Sequence, residues 1–133
     1  MKVNKLNHVA IAVRDIEKQL GLFCGILGVP QGEIIDVPSQ GVKVAFLELP
    51  NVRLELIAPL DETAKLNKYL DKRGEGLHHI SLSVDDISDA IDGLADKGVE
   101  PIDEMPRSGA EGKLVAFLHP KTTGSVLIEL EEE

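Results

Sequence analysis

The feature that most constrains this chain is internal repetition. The stretch His8-Val-Ala-Ile-Ala-Val13-Arg14-Asp15-Ile16 is echoed by His79-Ile-Ser-Leu-Ser-Val84-Asp85-Asp86-Ile87. At the same offset, Val44-Ala-Phe-Leu47 returns as Val115-Ala-Phe-Leu118, and slightly further on Val52-Arg-Leu-Glu55-Leu56 returns as Val126-Leu-Ile-Glu129-Leu130. Three echoes in one order point to a duplicated unit, whose copies bury apolar faces that neither buries alone.

Local pattern gives the unit its elements. From His8 to Val13 side chains alternate, Val9, Ile11 and Val13 on one side and His8, Ala10 and Ala12 on the other, which is a strand. Asp15 suits a helix N-cap, and the spacing predicts a helix to about Leu27, stopped by Gly28 and Pro30. Strands are expected over 32–37, 42–49 and 52–58, the last two joined by a Pro50-Asn51 turn. The second copy predicts a strand over 78–84, a helix over 86–97 and strands over 99–104, 113–118 and 125–130. An extra helix over 61–73, capped by Asp61, links the copies. The expected fold class is α+β: two tandem βαβββ modules forming a curved mixed eight-stranded sheet around a metal pocket. The expected organisation is one domain over 1–133, with module one at about 1–60 and module two at about 76–133. The small residues Ala10, Ala12, Ser81 and Ser83 share a face with the histidines and leave room there.

Composition narrows the partners. A chain of 133 residues with 43% apolar residues can bury one core, and with one Tyr, three Phe and no Trp that core is aliphatic. A net charge of −9 and scarce aromatics argue against nucleic-acid binding. The Glu131-Glu132-Glu133 run reads as a solvated end. Cys24, the only cysteine, sits among apolar neighbours and reads as a buried, inert thiol, which suits a reducing compartment. The first residues lack the apolar run of a secretory leader, and no apolar stretch is long enough to span a bilayer, so a cytoplasmic location is expected.

The polar outliers then fall into place. His8 and His79 open equivalent strands on the small-residue face. Glu55 and Glu129 lie in equivalent later strands, each flanked by residues of the opposite face. A pseudo-twofold relation brings two imidazoles and two carboxylates toward one centre. Such a set, with positions left for two substrate oxygens, suits Co²⁺, Mn²⁺, Fe²⁺, Ni²⁺ or Zn²⁺. A lone Glu in a strand is usually on the wet face and a lone His is usually structural, but here both types recur symmetrically. His78 points to the opposite face from His79 and reads as structural.

The stretches LNHVAIAV (6–13), RLELIAPL (53–60), GLHHISLSVDDI (76–87), KLVAFLHPK (113–121) and GSVLIELE (124–131) resemble the vicinal oxygen chelate superfamily, which includes glyoxalases, bleomycin resistance proteins and dioxygenases. Within it they are most similar to the methylmalonyl-CoA epimerases, over nearly the whole length. The resemblance implies one divalent metal, Co²⁺ first among the candidates, on His8, Glu55, His79 and Glu129. It implies methylmalonyl-CoA as substrate, a homodimer, and proton removal and return at carbon 2. A metal acting as Lewis acid on the thioester and carboxylate oxygens fits that chemistry, and an acid/base group is needed on each face of a planar intermediate.

Glu129 is one candidate base. One family member carries a Glu in the strand after a QG pair, but the matching position here is Val44. Glu48, further along the same face, is the substitute candidate, against a surface-carboxylate reading. Lys113 and Lys121 are the candidates for coenzyme A phosphates, with Arg107 read as solubilising charge. The rival expectations are a glyoxalase I-type isomerase on a thiol adduct and a metal-free binding protein of the same fold. A ring-cleaving dioxygenase, with two His and one Glu, is disfavoured by a fourth ligand at Glu55.

Overall fold

The computed structural model describes residues 1–103 and 105–133. The elements in chain order are β1 (Val3–Ala12), α1 (Ile16–Leu20) continued by a π-helical segment (Gly21–Ile26), β2 (Gln31–Val37), β3 (Val42–Glu48), β4 (Arg53–Pro59), α2 (Leu66–Arg73), β5 (Gly76–Val84), α3 (Ile87–Ala95), β6 (Arg107–Ser108), β7 (Leu114–Leu118), a 3₁₀ turn (Pro120–Thr122) and β8 (Ile128–Glu132). Helices and eight strands of a mixed sheet make this an α+β fold, as the repeat predicts. The chain divides into two compact units, Val9–His78 and Met1–His8 with His79–Glu133, so β1 and β5 each give residues to both.

In the Val9–His78 unit, β2, β3 and β4 are neighbours in antiparallel order. Their core joins Val13, Ile16, Leu20, Ala45, Leu47, Leu56 and Ala58, with Ile11, Phe23 and Cys24 packed against it. Cys24 is half-buried rather than enclosed. The helix expected to about Leu27 changes pitch at Gly21: the Leu27 N–H reaches the Leu22 carbonyl at 2.9 Å, and the Val29 N–H reaches Phe23 at 2.9 Å. Gly21 and Gly25, poor helix formers, make the widening cheap. The linking helix begins at Leu66, not at Asp61, because the Asp61 carboxylate is already engaged by the Thr63 N–H (2.8 Å) and hydroxyl (2.6 Å) in a local turn.

In the other unit the order is β5-β8-β7-β6, with β8 parallel to β5 and antiparallel to β7. Its core joins Val84, Ile87, Ala90, Ile91, Ala116, Leu118 and Leu130. The strand expected over 99–104 reduces to one bridge, Pro101 to Leu118. The bonds that flank this pair run from the Ile102 N–H to the Phe117 carbonyl at 2.8 Å and from the His119 N–H to the Glu100 carbonyl at 2.7 Å, and the last expected position, Glu104, lies outside the described residues. A two-residue β6 pairs with β7 further on. The last strand starts at Ile128 instead of 125 because Gly124 and Ser125 both take left-handed backbone (φ 70) and turn the chain first. It then runs through the acidic end: Glu131 is buried, the Glu132 carboxylate accepts from the Ile87 N–H at 3.0 Å, and the Glu133 N–H donates to Val84. That run is therefore not a solvated tail. No helix among the described residues is long and apolar enough to cross a membrane.

Candidate metal centre

Strand pairing decides what surrounds Glu129. Parallel pairing with β5 sets it opposite Ser81, and antiparallel pairing with β7 sets it opposite Phe117. The pleat then turns His79, Ser81 and Ser83 to one face of β5. His8, at the end of the β1 segment in the same unit, meets them there.

His8, His79 and Glu129 each offer one ligand atom, and these atoms lie within 4.8 Å of one another. His8 Nε2 is 3.3 Å from His79 Nε2 and 3.4 Å from Glu129 Oε1. All three residues are buried. His79 is also packed edge-on against Phe117, centroids 5.0 Å apart. On its far side, His8 Nδ1 is 2.7 Å from Asn7 Oδ1, and Asn7 Nδ2 donates to Ser83 Oγ at 3.2 Å.

Among the described residues, Glu129 Oε1 has no hydrogen-bond partner despite its burial. Desolvation pushes the Glu129 carboxyl up to about 7; Ser81 draws it back, Glu131 adds to the rise and Arg107 opposes it. A buried carboxylate oxygen without a donor, aimed at two imidazole nitrogens, is costly as it stands. A divalent cation removes that cost and satisfies all three groups, so the residues fit a metal.

The other sequence candidates sit as follows. Glu55 is buried in the Val9–His78 unit, on β4, with its Oε2 4.0 Å from Arg53 Nη1. Glu48 lies at the exposed end of β3, where its carboxylate accepts from Arg53 Nε at 2.8 Å, and the same guanidinium lies 4.7 Å over the Phe46 ring. Val44 is buried. Lys113 and Lys121 are exposed, and Arg107 is exposed with Asp103 3.6 Å away. His78, outside the triad, packs edge-on against Tyr69.

Sequence reasoning missed Asn7 and Ser83. The only available signal was the Asn-His pair at the strand that opens copy one. Strand parity sends Asn7 to the other face, and parity alone does not show that its amide reaches back to the ring of its neighbour.

The glyoxalase/bleomycin resistance protein/dioxygenase superfamily pattern matches residues 7–117. A mitochondrial methylmalonyl-CoA epimerase of Homo sapiens is 42% identical over 131 residues, covering 98% of this chain and 74% of the relative. An ethylmalonyl-CoA/methylmalonyl-CoA epimerase of Cereibacter sphaeroides is 42% identical over 132 residues, 98% of each chain. A solved structure of a methylmalonyl-CoA epimerase in complex with methylmalonyl-CoA and NH₄⁺ superposes with TM-score 0.92 and 30% identity, covering 99% of this chain and 96% of the other.

Proposed function

The chain belongs to the glyoxalase/bleomycin resistance protein/dioxygenase superfamily and, within it, to the methylmalonyl-CoA epimerases, and on that footing we propose that it interconverts (2R)- and (2S)-methylmalonyl-CoA by moving a proton at carbon 2. The observation that carries this reading is the buried convergence of His8 Nε2, His79 Nε2 and Glu129 Oε1.

His8, His79 and Glu129 are proposed to hold one divalent metal. Glu55 is added as a fourth ligand because it takes in copy one the place of Glu129 in copy two. When bound, such a cation supplies Lewis-acid polarisation of the thioester and carboxylate oxygens. Cobalt is the first choice, with Mn²⁺, Ni²⁺, Zn²⁺ and Fe²⁺ also compatible with nitrogen and oxygen donors.

Epimerisation removes the carbon-2 proton on one face and returns a proton on the other. Glu129 is the proposed acid/base on one face, as a metal ligand that detaches or acts while bound. Glu48 is the proposed partner on the other, held by Arg53. Lys113 and Lys121, exposed cations of an acidic protein, are proposed for the coenzyme A phosphates. The reading includes a homodimer, testable by light scattering, and a cytoplasmic location.

The test is deuterium wash-in at carbon 2 of methylmalonyl-CoA. Glu129→Gln is expected to abolish exchange, and normal exchange would remove Glu129 from the mechanism. Glu48→Gln is expected to slow it, and full activity would remove Glu48. Turnover of a hemithioacetal in place of methylmalonyl-CoA would favour the glyoxalase-type alternative.

A further inference from the structure

We propose that Asn7, braced by Ser83, is a positioning residue that holds the proton of His8 on Nδ1 and so keeps Nε2 bare for a cation. His8 Nδ1 lies 2.7 Å from Asn7 Oδ1, and Asn7 Nδ2 donates to Ser83 Oγ at 3.2 Å. Ser83 is 1% exposed and His8 3%, so water does not readily replace either contact.

An amide has two ends, and a serine hydroxyl satisfies either one. The choice is made on the far side of the imidazole. There Nε2 faces His79 Nε2 at 3.3 Å and Glu129 Oε1 at 3.4 Å. If those atoms share a cation, Nε2 presents a lone pair and the ring proton sits on Nδ1. Only the carbonyl end of Asn7 then accepts it. Fixing the second ring nitrogen also fixes the plane of the imidazole, and loss of such a partner weakens metal binding by about 10–100-fold. The inference rests on the metal reading above.

The experiment compares Zn²⁺ affinity, by competition with a chelating dye, for the wild type, Asn7→Leu, Asn7→Asp and Ser83→Ala. The ¹⁵N shifts of His8 are recorded in the metal-free protein alongside. Asn7→Leu is expected to weaken Zn²⁺ binding about 10–100-fold. Asn7→Asp, a carboxylate that accepts the same N–H, is expected to stay within a few-fold of wild type. Ser83→Ala is expected to fall between them. In the metal-free wild type the shifts are expected to show Nδ1 protonated, and in Asn7→Leu a mixture of tautomers.

Equal losses in Asn7→Asp and Asn7→Leu would overturn the proposal, because Asn7 would then be donating to the ring. So would wild-type affinity in Asn7→Leu. If the wild type itself bound no Zn²⁺, the metal reading would fail, and the tautomer in the metal-free spectra would still decide the role of Asn7.

Discussion

His8 Nε2 and Glu129 Oε1 face each other at 3.4 Å, and both side chains are nearly closed to solvent. A carboxylate oxygen and an imidazole nitrogen at that distance need a proton or a cation between them. The fold thus stores an electrostatic demand that a bound metal meets. Two consequences are measurable.

The metal-free protein should lose stability as pH rises through the range set by Glu129. Burial raises its pKa from 4.5 to about 7, so between those values the folded state holds a proton that the unfolded state has released. The Glu129 contribution to stability therefore falls across that window, by on the order of 3 kcal/mol. Chemical denaturation of chelator-treated protein at a series of pH values should show this fall in the difference between the stability of the wild type and that of Glu129→Gln, which removes the contributions the two share. Equal slopes in both would contradict the assignment.

Adding Co²⁺ or Zn²⁺ should reverse that loss. A ligand at a hundred times its Kd stabilises the folded state by about 2.7 kcal/mol, worth roughly 10 °C in Tm for a chain of this size. Affinity should rise with pH through about 7, since the Glu129 proton must leave before the metal binds. His79→Ala should lower both the Tm gain and the affinity. A Tm indifferent to metal would mean that the three groups hold none.

Much of this was legible in the sequence because duplication is a geometric statement. Once the echo aligned His8 with His79, strand parity put both on the face that carries Ser81 and Ser83, and the structure gathers Glu129 with them. What escaped the pattern was decided by competing local contacts. Thr63 captures the Asp61 carboxylate that looked like a helix cap. Gly124-Ser125 turns the backbone before β8 can start. The acidic end looked solvated because charge was read without register; antiparallel pairing sets Glu131 opposite Val115 and buries it. Asn7 was hidden for a related reason, since a hydrogen bond between adjacent residues leaves no periodic trace.

His78 should make the fold acid-sensitive in the opposite sense to Glu129. Desolvation lowers its pKa from 6.5 to about 4, so between those values the unfolded state binds a proton that the folded state refuses. Its contribution is complete above about 6.5 and is lost as pH falls toward 4. The windows of the two groups overlap, so variants are needed to separate them. In the Glu129→Gln background, His78→Phe should flatten the stability profile below pH 6.5, and an unchanged profile would show that the fold does not hold His78 below its ordinary pKa.

The N-termini of the two repeated helices offer a stability test away from the metal centre. Asp15 accepts from the Lys18 N–H at 3.3 Å, and Asp86 accepts from the Asp89 N–H at 3.0 Å. Replacing either by Ala should cost about 1 kcal/mol, the usual value for losing a capping oxygen. The second helix has a further acceptor, because Glu132 takes the Ile87 N–H at 3.0 Å. Two carboxylates therefore sit at the positive end of α3. Glu132→Ala should add a loss of similar size to Asp86→Ala, because the two oxygens serve different N–H groups. Denaturation midpoints of the two single variants and the double variant decide this. A double variant no less stable than Asp86→Ala would show that Glu132 contributes nothing to the cap.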